Sequence, residues 1–214
     1  MAIQCFMRVV GLLLDGFERV LPLLHSPALS ERWAEPSALE QWSNGGLAGH
    51  LARSAFNLER AVGQQRGRAP ADDAVAYYAS SAPQPASSAV GKRIRELGDQ
   101  EAAGGAASLA GRFVASVAFL RERALPLDAA TTVEMFGRVL TIDACATACL
   151  LELVVHADDL TVSLGLEPVA FSEPVIDIVV VTLSRISRKR HGDLAVIRSL
   201  SRPERAPSHR ISAF

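Results

Sequence analysis

The 214-residue chain is poor in cysteine and carries almost no net charge. Three cysteines, Cys5, Cys145 and Cys149, are too few for a disulfide framework and suit a reducing compartment. We interpret Cys145 and Cys149, four residues apart, as small buried side chains. A formal net charge of -1 gives no general attraction to nucleic acid or to an anionic membrane surface, so neither is expected as a partner.

Long apolar runs are also missing from the sequence. No segment approaches the roughly 18 uninterrupted apolar residues that a membrane-spanning helix needs. The apolar N-terminal segment is broken by Asp15, Glu18 and Arg19, no basic segment precedes it, and no small-residue cleavage site follows it. We therefore expect a cytoplasmic protein without a membrane anchor.

Apolar residues at helical spacing are abundant. They make up 49% of the composition, which predicts a well-buried core. Four long segments repeat apolar residues on one face and predict the main helices, at about 9–24, 44–62, 107–123 and 139–164. Between the second and third segments, residues 64–106 are rich in Pro, Gly, Ser and Ala. This composition predicts a long irregular connection with short helices near 73–79 and 92–97.

The end of the chain predicts further helices. Gly165 is suited to end the fourth helix, and Ser172 is suited to cap the next one, with Pro174 in its first turn. The IDIVVV run within that helix would also suit a buried strand. A short helix is expected at 193–200. The pattern predicts an all-α fold, with a four-helix bundle over residues 1–165 and a C-terminal helical extension, 166–214, packed on it.

Chemically active side chains interrupt the fourth apolar segment at LELVVHADDL. Glu152 and His156 are four residues apart and share a helix face, and Asp159 follows three residues later on that face. Charged groups on a buried face must be paired or bound to a metal. A carboxylate oxygen and an imidazole nitrogen one turn apart can meet on one ion.

His50, on the second apolar segment, is the candidate third ligand. Gly45, Gly46 and Gly49 surround it in the first turns of a helix, where each glycine costs about 1 kcal/mol relative to alanine, so we expect that something needs this space. A set of two histidines and one glutamate leaves a coordination position open, as catalytic zinc sites do. Structural zinc sites are usually closed by four protein ligands.

Other interpretations of these residues stay open at this point. Glu152 and His156 could pair with each other or with Arg53, with no metal. Two histidines and one carboxylate also form the triad of non-haem iron oxygenases, but those sites usually have H-x-D/E spacing on barrel strands. Asp159 could orient a ligand histidine or pair with an arginine.

Two motifs and the tail resemble a known family. The segment Trp33–Arg53 contains a tryptophan, a Pro-Ser pair, a second tryptophan and Gly-Leu-x-x-His-Leu. It resembles the N-terminal motif of the mycothiol-dependent maleylpyruvate isomerase branch of the DinB-like superfamily. LELVVHADDL resembles the Glu-Leu-x-x-His-x-x-Asp-Leu motif of that branch, with Asp158 where relatives often carry Trp. The tail RHGDLAVIRSLSRPERAPSHRISAF resembles the ending of short actinobacterial relatives.

The resemblance implies a DinB-like bundle that holds a divalent metal, usually zinc, through His50, Glu152 and His156, with the thiol mycothiol as cosubstrate. We therefore expect a metal-dependent S-transferase or isomerase in which a thiolate attacks a small electrophile. The separate C-terminal domain of the maleylpyruvate isomerases is missing, so maleylpyruvate itself is not the expected substrate. The alternative is a non-catalytic metal-binding DinB-like stress-response protein, which would keep the same ligands.

Residues near the ligands are candidates for substrate contacts and catalysis. Arg53, one turn after His50, is a candidate to bind an anionic group of the electrophile, with an ion pair to Asp159 or a surface position as the alternatives. Arg53 and Asp159 are the candidate catalytic residues. Tyr77 and Tyr78 are candidates to cover the pocket and contact the substrate. The expected partners are a small-molecule thiol and an electrophilic small molecule, and a homodimer is a candidate assembly.

Overall fold

A computed structural model describes residues 8–67, 69–80 and 87–213. Within these ranges the chain is mostly helical with one small sheet, which confirms the all-α prediction. The helices are α1 (Val9–Leu24), α2 (Pro27–Glu31), α3 (Asn44–Val62), α4 (Ala74–Ala79), α5 (Ala89–Ala102), α6 (Gly105–Arg123), α7 (Ile142–Leu164), α8 (Glu173–His191) and α9 (Asp193–Ser201). The strands are β1 (Gln65–Gly67), β2 (Thr132–Met135) and β3 (Arg138–Thr141), and a 3-10 turn covers Pro203–Arg205.

Helices α1, α3, α6 and α7 pack side by side around one apolar core. Helix α3 contacts both α6 and α7, and α1 contacts the same two helices. At the centre, the rings of Phe17 and Phe113 meet edge to face with their centroids 5.3 Å apart, and both side chains are fully buried. Burying an aromatic side chain of this size stabilises the fold by about 2–3 kcal/mol. This pair joins α1 to α6, while α3 packs directly against α7, and these are the two helices that carry the predicted ligands.

Local signals set the ends of these two helices. The Ser43 side chain accepts a hydrogen bond from the Gly46 amide at 3.0 Å and caps α3. The Thr141 side chain accepts from the Ala144 amide at 3.1 Å and caps α7, and Gly165 ends α7 with a left-handed φ of 66°. At α8, however, the Ser172 hydroxyl makes no cap bond and instead donates to Asp15 at 3.2 Å.

The small sheet was not predicted from the sequence. Strands β2 and β3 form an antiparallel hairpin whose two turn residues, Phe136 and Gly137, both have positive φ, and β1 adds to the edge of β2. Strand β3 leads directly into α7, so this helix begins at Ile142 and the predicted start at 139 was wrong. The run Val139–Leu140 is apolar and short, and such a run fits a strand as well as a helix. The IDIVVV run, by contrast, lies in helix α8.

Much of the stretch 64–106 is regular structure. It contains β1, α4 and α5. Helix α4 agrees with the short helix predicted near 73–79, but the described part of the stretch is less irregular than predicted. Helix α5 covers Ala89–Ala102, well beyond the short helix expected at 92–97, and packs closely against α3. The full length of this helix is not predictable from the sequence, because Gly91 and Gly98 on its buried side lower the helix propensity.

Glycines allow α3 and α5 to meet backbone to backbone. A Cβ atom at Gly49 would lie 2.2 Å from the carbonyl oxygen of Gly98, and one at Gly98 would lie 2.6 Å from the carbonyl oxygen of Gly46. Gly45 faces the ring of Trp33, where a Cβ atom would lie 2.6 Å from the indole. The glycines beside His50 therefore make room for α5 and for a tryptophan.

The C-terminal helices α8 and α9 come after α7 in the chain, and α8 packs on the bundle. Helix α8 contacts α1, α4 and α7, and the tail places Ala213 in the buried core. Cys145 and Cys149 are buried as expected, while Cys5 lies outside the described residues. Among the described helices, none is by itself both long and apolar enough to cross a membrane. The pair α5 and α6 passes that test together, with a bend of 92° between them.

Candidate metal centre

The three predicted ligands meet where α3 faces α7. His50 Nε2 lies 3.4 Å from Glu152 Oε2, and His156 Nε2 lies 3.2 Å from the same oxygen. The two imidazole rings have their centroids 4.6 Å apart. One nitrogen or oxygen from each side chain lies within 4.8 Å of the others, and this is a grouping that could hold a metal ion. Glu152 Oε2 is therefore shared by two histidines from different helices.

Two tryptophans position the start of α3 and the first histidine. Trp33 packs against Gly45, and its carbonyl oxygen accepts a hydrogen bond from the Gly45 amide at 2.8 Å. The Trp42 ring lies with its centroid 5.0 Å from that of His50. The tryptophans of the N-terminal motif thus fix the helix start and one wall beside the imidazole.

The pKa values of the two histidines are shifted in opposite directions. Burial lowers the pKa of His50 below its ordinary value, although Glu152 opposes this effect. For His156, burial also acts to lower the pKa, but hydrogen bonds with Asp159 and Glu152 outweigh it and raise the pKa to about 9. Burial acts to raise the pKa of Glu152, yet hydrogen bonds with His156 and His50 hold it well below its usual range. Near neutral pH, the metal-free site holds a carboxylate, one imidazolium and one neutral imidazole.

Asp159 contacts the site through His156. Its Oδ2 accepts a hydrogen bond from His156 Nδ1 at 2.9 Å, which leaves Nε2 pointing toward Glu152 and His50. Carboxylates in this position fix the tautomer and orientation of a ligand histidine. Of the two roles considered for Asp159, the structure shows the contact with the histidine. Asp158, its neighbour, is exposed.

Tyr78 contacts Glu152, and this contact was not predicted. The phenol oxygen lies 2.7 Å from Glu152 Oε1 and 3.2 Å from the carbonyl oxygen of Ala148. Burial raises the pKa of Tyr78 well above its ordinary value, with a further contribution from the Glu152 charge, so the phenol keeps its proton and donates. Tyr77 stacks edge to face on Tyr78 at 5.1 Å, and burial raises its pKa to about 12. Local spacing gave no signal for the contact because 74 residues separate Tyr78 from Glu152.

Arg53 lies one turn after His50 and is only 7% exposed. Its Nη1 is 3.8 Å from Glu101 Oε1, so it is neither a surface arginine nor the ion-pair partner of Asp159. Arg53 interacts electrostatically with both His50 and Glu152. Glu101 also pairs with Arg60 at 3.6 Å and with Arg112. Three guanidinium groups thus surround one carboxylate beside the predicted ligands.

The site differs from a core ion pair in its exposure. The Glu152 side chain keeps 30% of its surface exposed, against 14% for His50 and 17% for His156. The nearby cysteines do not join the cluster. Cys145 Sγ lies 3.6 Å from Met135 Sδ, and a hydrogen bond with Cys145, together with burial, raises the pKa of Cys149 well above its ordinary value. The Glu152 side chain is therefore partly open to solvent, and the Cys149 thiol keeps its proton near neutral pH.

The donor set fits a divalent metal. Zinc bonds of about 2.0–2.1 Å in a tetrahedral arrangement place neighbouring ligand atoms about 3.4 Å apart. The separations of 3.4 and 3.2 Å from Glu152 Oε2 to the histidine nitrogens agree with this spacing. Two imidazoles and one carboxylate are common zinc ligands, and three protein ligands leave a position for a substrate.

Comparison with known protein families gives a match over most of the bundle. A family model, the mycothiol maleylpyruvate isomerase N-terminal domain, matches residues 13–161, which is more than half of the chain and includes His50, Glu152 and His156. No curated protein and no solved structure gives a significant match. The matched range extends from α1 nearly to the end of α7 and contains both sequence motifs. The chain therefore belongs to the mycothiol maleylpyruvate isomerase N-terminal domain family.

Proposed function

We propose that the protein is a divalent-metal-dependent S-transferase or isomerase that uses a small thiol, mycothiol, to attack a small electrophile. The proposal rests on one observation: His50, Glu152 and His156 bring three metal-binding atoms within 4.8 Å of one another at a partly exposed point of the bundle. Zinc is the metal that this donor set favours. Family membership supports mycothiol as the thiol.

A divalent cation held by these residues would lower the pKa of a bound thiol and supply a thiolate near neutral pH. Glu152 contributes one negative charge and the neutral imidazoles contribute none, so the ligands leave part of the cation's charge uncompensated and favour an anionic sulfur. Asp159 keeps His156 oriented through its Nδ1 hydrogen bond. In the reaction, the thiol proton would pass to solvent, and the sulfur would form a bond to an electrophilic carbon as that carbon's π bond, or its bond to an epoxide oxygen or a halide, breaks; the π electrons or the oxygen then take up a proton, and a halide leaves. A transferase keeps the new carbon–sulfur bond in the product, whereas an isomerase breaks it again.

The arginines beside the site support an anionic electrophile. Arg53 is nearly buried, and its contact with Glu101 at 3.8 Å is too long for a hydrogen bond. Arg60 and Arg112 pair with the same Glu101 carboxylate, so Arg53 shares that acceptor with two other guanidinium groups. A carboxylate of the substrate would give Arg53 the paired acceptor that planar guanidinium groups prefer. We propose Arg53 as the group that binds the electrophile's anionic end.

The test combines metal content with turnover. The full chain, purified without a histidine tag, is expected to hold about one divalent ion per chain by elemental analysis. Incubation with mycothiol and a panel of activated alkenes, epoxides and alkyl halides, with adducts detected by mass spectrometry, is expected to show conjugation faster than without protein. His50→Ala should reduce the rate to that of the uncatalysed reaction. His25→Ala, at the exposed end of α1, is the matched control and should behave as wild type.

Each result has one consequence. Equal conjugation rates for wild type and His50→Ala would contradict the enzyme proposal. Bound metal without conjugation of any electrophile in the panel would favour the non-catalytic metal-binding alternative. Metal-free protein whose stability does not change in His156→Ala would contradict both.

A further inference from the structure

The two oxygens of Glu152 have different partners. Oε2 faces His50 at 3.4 Å and His156 at 3.2 Å, whereas Oε1 accepts a hydrogen bond from the Tyr78 hydroxyl at 2.7 Å. A hydrogen bond from a neutral donor to a carboxylate is stronger than one to a neutral carbonyl, so the phenol proton goes to Glu152 and not to Ala148. One oxygen of Glu152 is therefore directed at the histidines, and the other is held away from them.

The helix that carries Tyr78 is short but anchored at both ends. Arg138, in β3, pairs with Asp72 at 2.6 Å and donates to Ser80 Oγ at 2.6 Å, on either side of α4. The Asp73 side chain caps the helix through the Ala76 amide at 2.7 Å. These contacts hold the backbone of α4 on both sides of Tyr78.

A third anchor comes from the C-terminal helices. Arg190 Nη2, near the end of α8, donates to the Tyr78 carbonyl oxygen at 2.9 Å, and Arg190 Nη1 donates to the carbonyl oxygen of Ala213. Ala213 is buried. A continuous set of contacts thus leads from the tail through Arg190 and Tyr78 to Glu152.

We infer that Tyr78 is a positioning residue that makes Glu152 bind the metal through Oε2 alone, and that Arg190 supports it from the C-terminal segment. This inference rests on the proposed metal site. A carboxylate that bound through both oxygens would occupy an additional coordination position. By holding Oε1, Tyr78 keeps that position available to the thiol. The C-terminal segment, outside the range of the family match, then contributes to the geometry of the site.

The experiment replaces the metal by Co²⁺, whose visible absorption depends on the number of ligands. Tyr78→Phe keeps the ring and removes only the hydroxyl. We expect weaker visible absorption, as the second carboxylate oxygen joins the ion, and a loss of Zn²⁺ affinity of about tenfold in competition with a chelator. Arg190→Gln should change both readouts in the same direction by a smaller factor. Tyr77→Phe, whose hydroxyl has no hydrogen bond to Glu152, is the matched control and should leave both unchanged.

The outcomes separate this inference from the proposed function. If wild type binds neither ion, the metal site itself is wrong. If wild type binds Co²⁺ and Tyr78→Phe has the same spectrum and the same Zn²⁺ affinity, the role of Tyr78 is wrong. A crystal structure of the zinc-loaded wild-type protein needs no variant: one Glu152 oxygen on the ion supports the inference, and two oxygens at equal distance overturn it.

Discussion

Metal binding at pH 7 should release about one proton per ion, and that proton should come from His156. Hydrogen bonds with Asp159 and Glu152 raise the pKa of His156 to about 9 against the effect of burial. At pH 7 its ring is then about 99% protonated, and Nε2 must lose the proton before it can bind a cation. His50, whose pKa is lowered, and Glu152, whose pKa is held low, bring no further proton.

The same pKa sets the size of the effect on affinity. Below a pKa of about 9, each pH unit should change the metal dissociation constant about tenfold, with tighter binding at higher pH. The affinity at pH 7 should therefore be about 100-fold weaker than its limit above pH 9. This difference corresponds to about 3 kcal/mol. Above pH 9 the curve should become flat, because His156 is already neutral there.

Isothermal titration calorimetry in buffers of different ionisation enthalpy measures the number of released protons directly. Asp159→Asn removes the carboxylate that accepts from His156 Nδ1, so the pKa of His156 should fall and fewer protons should be released at pH 8. Asp158→Asn changes the same charge one residue earlier, at an exposed position, and should match wild type. Binding without proton release at pH 7, or an affinity independent of pH between about 7 and 9, would refute the reasoning.

Three further predictions concern stability and substrate binding. In the metal-free protein, protonated His156 should stabilise the fold by about 3 kcal/mol, because its pKa is raised to about 9. This contribution should be complete below about pH 6.5 and should be lost as the pH rises through about 9. Urea denaturation at a series of pH values measures it. Gly49→Ala should destabilise the protein by about 1–3 kcal/mol, because its Cβ would meet the Gly98 carbonyl. The control Gly111→Ala, with open space around it in α6, should be neutral or stabilising by up to about 1 kcal/mol. Equal melting temperatures for the two variants would contradict the close packing of α3 on α5. Arg53→Gln should raise KM about tenfold or more for anionic electrophiles and leave KM for uncharged ones unchanged, and a uniform loss of kcat would argue against a binding role.

Helix positions were predictable from the sequence where an apolar helical repeat coincides with residues that favour a helix end. Helices α1 and α3 have the predicted bounds because each combines an apolar face with a clear end, such as the Ser43 cap. The pair Glu152 and His156 was predictable from the four-residue spacing on one helix. His50 could be joined to them through the resemblance of its motif, since it lies about 100 residues away in sequence on another helix.

Contacts between distant segments were not predictable from the sequence. The bond between Tyr78 and Glu152 depends on how α4 sits against α7, and no local pattern encodes that placement. The sequence shows the glycines around His50 but not the helix that packs on them, because the two glycines of α5 lower its helix propensity. Phe136 adopts a positive φ that bulky residues rarely take, so the sequence gives no signal for the hairpin turn.

The contact between Gly49 and Gly98 has a consequence for the position of His50. A backbone that touches another backbone has no rotamers through which to relax, so the spacing of α3 and α5 is set by main-chain dimensions alone. The Cβ of His50 lies 3.3 Å from the point where a methyl group at Gly98 would sit. A side chain at position 98 would meet the carbonyl oxygen of Gly46 at 2.6 Å and the Trp42 ring at 2.9 Å before it reached His50. The space around the first candidate ligand is thus bounded by a helix that supplies none of the three ligands.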